Sequence, residues 1–360
     1  MLILDQTAQH ITGELEEIIP QYDRSFTDWL FAEAAKGEPD PYALTYEVCS
    51  GFFVQDSPAG DNPEPSVGFG LIDSSPTRWQ TFHEVIEQRN ATAPDGVWYK
   101  VFFFGRHGEG YHNVGEKKYG TQAWDDHWSK LNGDGEITWG PDPQLTPLGI
   151  SQAEAAASLW SSEISSGMTP PERLYASPLT RALRTAKISF EGASLQRKIT
   201  VLENLREESG VHTCDQRLPR SKILESLGPS ELLRFEIEEG MTEADEFWDP
   251  DVRETRAHVA SRARSVLDKI FREQTDKTYI SITAHGGIIN GFLEVLGRAR
   301  YAVPTGGVLP VVVRAERPPE AQSTSRITTN AKPPHRGEKR TLSGDPAYVF
   351  GGARRKGREG

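Results

Sequence analysis

Val101-Phe-Phe-Phe-Gly-Arg-His-Gly-Glu-Gly-Tyr-His-Asn113 is the stretch around which the chain is organised. Four apolar residues in a row, bounded by Gly105, read as a short strand buried on both faces, as strands are when helices cover each side of a sheet. Directly after it come Arg106, His107 and Gly108, a cation and an imidazole followed by a residue with no side chain. Ligands of open α/β sheets bind beyond the carboxyl ends of the strands. A reactive pair belongs at such a place. The tripeptide alone decides little, because a histidine nucleophile needs further groups from the rest of the chain.

Working outward, strands and helices alternate. Upstream, Tyr42 to Val54 reads as a strand and Trp79 to Arg89 as a helix, with Trp79, Phe82, Val85 and Ile86 at helical spacing. Residues 1–41 read as a helical extension. Downstream, residues 114–146 are rich in Trp, Gly, Asp and Pro with little periodicity, and read as one long functional loop. Thr146-Pro-Leu-Gly149 opens a helix that runs to about Ser165. Arg173 to Ser177 is a strand, and Leu179 to Phe190 the helix after it. Ile199 to Leu202 is a third strand, and 211–250 an insertion of short helices and loops. A long amphipathic helix carries Val252, Val259, Ala263, Val266, Leu267, Ile270 and Phe271 on one face. Thr278 to Thr283 is a strand ending at Ala284-His285-Gly286-Gly287, with a helix from Ile288 to Leu296 behind it. Val308 to Arg314 is the last strand, and Pro310 predicts a sheet edge or a strand's first residue. This order gives an α/β fold with a mostly parallel sheet.

The chain carries a formal charge of -12, which argues against general nucleic-acid binding. From Pro318 onward there are nine Lys or Arg against four Asp or Glu, or +5, so residues 1–317 carry -12 minus 5, or -17. That basic, Pro- and Gly-rich tail, 318–360, reads as disordered. An acidic body that binds an anion must do so in a local cationic pocket, which makes clustered arginines informative. Two cysteines, Cys49 and Cys214, are too few for a disulfide framework and lack zinc-ligand spacing. With no basic-then-apolar leader and no window near the roughly 18 apolar residues of a membrane span, the expectation is a cytoplasmic protein with no membrane partner.

The strand ends together offer Arg106, His107, Arg181, Glu207 and His285. Two guanidinium forks hydrogen-bond phosphoryl oxygens in pairs and stay charged at any working pH. A neutral imidazole can attack phosphorus and form a phosphohistidine, dividing one hard displacement into two easier ones. A carboxyl with its pKa lifted toward neutrality can protonate the leaving oxygen and then activate water.

In order along the chain stand Arg106-His107-Gly108-Glu109 with Asn113, then Ser177-Pro-Leu-Thr-Arg181, then Leu205-Arg-Glu207 with Gly210, then His285-Gly286-Gly287. This order resembles the histidine phosphatase superfamily, in the branch of the cofactor-dependent phosphoglycerate mutases. The Gly-Tyr-His-Asn run after the Arg-His pair is similar to fungal phosphomutase-like proteins, and the resemblance spans about residues 42–315. It implies a three-layer α/β/α sandwich over 42–317, with 114–146 and 211–250 as a lid. It also implies that His107 is the nucleophile, that Arg106, Arg181, His285 and Gly286 hold the phosphoryl group, that Asn113 and Glu109 line the same pocket, and that Glu207 is the proton donor, with Glu208 as its competitor. Three departures stand out, the first bearing on the choice of acid and the other two on the reaction. Glu207 stands three residues before Gly210 where the family often has four, and residues 206–210 read Arg-Glu-Glu-Ser-Gly in place of the mutases' Glu-Arg-His-Tyr-Gly. The insertion also lacks the mutases' Arg-Arg-Ser element. The expected activity is therefore hydrolysis of a small phosphorylated metabolite, with no cofactor and no metal ion. A phosphoglycerate-type mutase that needs a bisphosphate primer, and a non-catalytic member that binds phosphorylated ligands or a protein, are the alternatives. Outside this set, His212, Cys214 and Asp215 have a faint metal-binding look, but two ligands on a loop with no second pair read as structural.

Overall fold

Phe102 and Phe104 pack into one hydrophobic cluster while Val101 and Phe103 pack into another. The side-chain period of a strand is two, so a continuous apolar run serves both faces of a covered sheet. The computed structural model describes residues 44–56, 68–227 and 234–318. The helical reading of 1–41 and the tail beyond Pro318 lie outside them.

Seven strands are described: β1 (Thr45–Val48), β2 (Val97–Arg106), β3 (Arg173–Ala176), β4 (Ile199–Val201), β5 (Phe235–Ile237), β6 (Tyr279–Ala284) and β7 (Val308–Glu316). They form one sheet in the order β1-β7-β2-β6-β3-β4-β5. β7 is antiparallel to both its neighbours, and every other pairing is parallel. The expected mostly parallel α/β fold is what the chain adopts.

The eight α-helices among the described residues are α1 (Arg78–Ala91), α2 (Tyr111–Tyr119), α3 (Thr121–Asp126), α4 (Pro147–Ser165), α5 (Thr180–Gly192), α6 (Arg220–Leu227), α7 (Arg256–Glu273) and α8 (Gly286–Val295). α7 and α8 cover one face, through Val259, Ala263, Val266 and Ile270, and Ile288 and Phe292, against Phe102, Phe104, Ile280 and Ile282. On the other face Phe82 and Ile86 of α1, Trp160 of α4 and Leu183 and Phe190 of α5 close over Val101 and Phe103. Phe103 itself lies edge-on to Phe69 and Trp160, with ring centroids 5.5 Å and 5.1 Å away.

Several elements depart from expectation for identifiable reasons. The segment 114–146 is not one loop, since α2 and α3 occupy its first third, separated by Gly120 at φ 78. Its tryptophans build a satellite cluster in which Trp124 and Trp139 pack with Cys214. Val252 precedes α7, which begins only after Thr255, whose hydroxyl accepts from the His258 amide. Pro310 sits in β7, an interior strand, but β1 pairs only with Val313 to Glu316. At the level of Pro310 there is no β1 residue to miss its amide, so the physics behind the edge expectation holds locally. The upstream strand is only the four residues of β1, and the three-residue β5 is too short to show a period in the sequence.

Candidate active site

Because β2, β3, β4 and β6 point the same way, the turns that follow them share one edge of the sheet. The backbone holds these turns side by side. The His107 amide donates to the Ala284 carbonyl at 3.0 Å and the Ser177 amide to the Thr283 carbonyl at 3.0 Å. The rings of His107 and His285 thereby stand 5.0 Å apart.

His107 is 2% exposed. Its Nδ1 lies 2.7 Å from the Gly108 carbonyl oxygen. A carbonyl only accepts, so Nδ1 carries the hydrogen and Nε2 presents its lone pair. Burial, then the charges of Arg181 and Arg106, hold the ring well below the ordinary histidine pKa, so it is neutral at pH 7. His285 is fully buried and its Nε2 meets the Ser177 hydroxyl at 2.7 Å. Burial and the nearby Arg181 lower its pKa as well.

Two arginines supply the positive charge. Arg106 donates from Nη1 to the Val303 carbonyl at 2.9 Å. Arg181, 1% exposed, donates from Nη1 to the Cys214 carbonyl at 2.7 Å and from Nη2 to Asp215 Oδ1 at 2.8 Å. The Nε atoms of both arginines, Nδ1 of His285 and Nδ1 of His112 are buried with no partner among the described residues. An unpaired buried donor costs about 1–3 kcal/mol, so the two arginine Nε–H groups are suited to an oxyanion.

Glu207 reaches the start of α8, where its Oε2 accepts from the Gly287 amide at 3.0 Å. A Cβ on Gly287 would lie 2.0 Å from Glu207 Oε1, so only glycine admits the carboxylate there. The Glu207 charge also acts on Arg106. Its neighbour Glu208 turns to Arg253 at 3.1 Å instead. Burial raises the Glu208 pKa while Arg253 opposes the shift.

A family model for the histidine phosphatase superfamily (branch 1) matches residues 102–303. The chain belongs to the histidine phosphatase superfamily. It is 41% identical over 297 residues, covering 77% of this chain and 87% of the relative, to a protein of Arthroderma benhamiae described as a probable phosphoglycerate mutase. A phosphomutase-like protein of Candida albicans is 33% identical, covering 60% of this chain and 66% of that protein. A probable phosphoglycerate mutase of Saccharomyces cerevisiae is 32% identical, covering 69% of this chain and 92% of that one.

For a superfamily member, the distribution of the expected residues is informative. Arg106, His107, Arg181, Glu207, His285 and Gly286 meet at the sheet edge. Asn113 and Glu109 are held by local bonds. Asn113 Oδ1 accepts from the Gly110 amide at 3.0 Å, in the first turn of α2. Glu109 Oε1 accepts from the Thr146 hydroxyl at 2.8 Å, at the start of α4. His212, Cys214 and Asp215 do cluster, their ligand atoms lying within 4.8 Å of one another. Asp215, however, spends Oδ1 on Arg181 and Oδ2 on Arg253, and those two guanidiniums outweigh its burial and keep its pKa low. Two fixed cations on the carboxylate oppose a third.

Sequence reasoning missed the residues that hold this set in place. Besides Ser177 and Asp215, Asp142 accepts from the Thr180 amide at 2.8 Å and from its hydroxyl at 2.7 Å, in the first turn of the helix that carries Arg181. The Ser177-Pro-Leu-Thr180 motif and the His212-Cys214-Asp215 group drew attention to two of them without showing these roles, and nothing marked Asp142.

Proposed function

We propose that this protein is a phosphatase that hydrolyses a small phosphate monoester through a phosphohistidine on His107, without a metal ion. The tautomer of His107 carries the reading: Nδ1–H is fixed on Gly108 and the basic Nε2 is free to attack. In the first step an N–P bond forms at Nε2 and the P–O bond to the alcohol breaks, the leaving oxygen taking a proton from the Glu207 carboxyl. In the second step the Glu207 carboxylate takes a proton from water, the water oxygen bonds to phosphorus, and the N–P bond breaks. Arg106, Arg181 and His285 face the oxygens on which charge grows, the interaction that usually contributes most to such catalysis. Those guanidiniums provide the charge a metal would provide. The nearby Asp215 is already bound by Arg181 and Arg253.

The test is phosphate release from an aryl phosphate in the presence of chelator. The wild type should turn over, and His107→Ala should lose about 10³-fold or more. Undiminished activity in the variant, or loss in chelator restored by a divalent cation, overturns the mechanism. A second reading, a phosphoglycerate-type mutase, is favoured by the description of the Arthroderma benhamiae relative. It requires phosphate transfer between positions of phosphoglycerate that appears only when a bisphosphate primer is added.

A further inference from the structure

His112, the second residue of α2, has no part in the steps above. Its ring centroid lies 5.3 Å from that of His107. The ring folds back over Gly110, where a Cβ would stand 2.7 Å from Nδ1 and 2.8 Å from Cε1. Any side chain at position 110 would push the imidazole away. Nδ1 is therefore shut against the backbone, buried and without a partner among the described residues. Nε2 is the ring's other nitrogen, and it is not among the closest atoms to a Cβ at position 110. A buried acceptor without a donor is tolerated better than a buried N–H without an acceptor. The favoured tautomer of His112 thus keeps its lone pair on Nδ1 and its hydrogen on Nε2.

We propose that His112 is a third imidazole of this site and donates a hydrogen bond from Nε2 to the bound phosphorylated substrate. The inference rests on the phosphoryl-binding reading above. A purely apolar ring would pack as well against Gly110 without the cost of burying a polar group. The donor is neutral, because burial first, then Arg181, His107, Arg106 and His212, oppose a charge on the ring, and His285 faces the same cluster. Arg106 and Arg181 already balance a phosphoryl dianion. A neutral donor adds a directed bond and leaves no further charge behind when the anion departs.

The experiment is tungstate binding, by calorimetry, to the full chain of the wild type and of His112→Phe, His112→Gln and Gly110→Ala, each with a thermal melt as a folding control. Tungstate is a tetrahedral dianion that brings no titration of its own between about pH 7 and 9, a range in which a histidine could titrate. Losing a hydrogen bond to a charged group should weaken binding about ten- to a hundredfold in His112→Phe. His112→Gln keeps an amide donor and should stay within about threefold of wild type, its pH dependence parallel to the wild-type curve. Gly110→Ala keeps the imidazole but displaces it, and should lose as much as the Phe variant. Wild-type affinity in His112→Phe, equal losses in the Gln and Phe variants, or a flattened pH dependence in His112→Gln each overturn the proposal. Absence of tungstate binding by the wild type overturns the phosphoryl-site reading itself, and this inference with it. If the Phe variant unfolds, ¹⁵N NMR of wild-type imidazoles, assigned with the Gln variant, decides. A protonated Nε2 on His112 that shifts with tungstate supports the role, and an unshifted one refutes it.

Discussion

Glu207 and Glu208 are adjacent in the chain and face different partners: one takes the Gly287 amide beside His285, the other an ion pair with Arg253. That difference makes the acid assignment testable. On an alkyl phosphate, whose leaving oxygen needs a proton, Glu207→Gln should lower kcat by about 10²–10⁴-fold, the usual worth of a general acid. On an aryl phosphate the same variant should lose far less. Glu208→Gln gives up an ion pair that is partly exposed, and should stay within about tenfold on both substrates, since such pairs contribute little. Steady-state kinetics on the two substrates checks this, and the opposite ranking would name Glu208 as the acid. Arg106, His107 and His285 were legible because each directly follows or ends an apolar strand, a pattern visible within a few residues. Their supporting partners were not. Ser177 meets His285 across 108 positions, and Asp215 meets Arg181 across 34. No local pattern marks a residue whose role is defined by a contact made only on folding.

Helix α5 shows the same limit at the level of an element. Its N-cap, Leu179, has no side chain able to accept from the first turn, and the need is met from a distant loop by Asp142. Asp142 is 3% exposed, and burial, opposed by Arg181 and Thr180, pushes its carboxyl up to about 6 from an ordinary 3.8. The sign follows from proton binding. Between about pH 4 and 6 the unfolded chain has released this proton while the folded chain still holds it, so raising the pH lowers stability. The loss is about 1.4 kcal/mol for each pH unit of that window. Asp142→Asn cannot ionise, yet its amide can accept from the Thr180 amide and donate to the hydroxyl. Asparagine also tolerates the positive φ of 47 at this position. Urea melts should show the wild type losing stability from about pH 4 to 6 relative to Asp142→Asn, with the variant ahead by a few kcal/mol above that window. A constant difference across the range would show that Asp142 does not titrate there. The elements most readily read, such as α7 and β6, are those with long apolar periods. Helices α2 and α3 leave little trace in the sequence because glycines at 110, 115 and 120 break any periodicity and their burial is against tryptophans from the same segment.

At the scale of the molecule, the two sheet faces and the tryptophan cluster have separable tasks, and this separation predicts two kinds of defect. Phe103 belongs to the large core between the sheet and α1, α4 and α5, packed on Phe69 and Trp160. Phe103→Ala removes a fully buried ring from a close-packed interior and should cost about 3–5 kcal/mol of stability. Its ring partners, Phe69 and Trp160, lie outside the site, so kcat/KM measured well below the melting transition should change little. Trp139 is equally buried but lies in the satellite cluster, with Nε1 bonded to the carbonyls of Trp128 and Leu131. The Leu131 carbonyl also accepts from Thr213, next to the Cys214 carbonyl and the Asp215 carboxylate that grip Arg181. Trp139→Ala should therefore loosen one segment more than the whole chain. Its melting transition should shift less than that of Phe103→Ala, while kcat/KM falls at least tenfold, because misplacing a charged group by about 1 Å is enough to cost about 10²-fold in rate. Denaturant melts and initial rates on the same two variants test this together. If Phe103→Ala lost activity at full folding while Trp139→Ala kept it, the satellite cluster would have no part in placing Arg181, and the grip on that arginine would have to be set by the sheet edge alone.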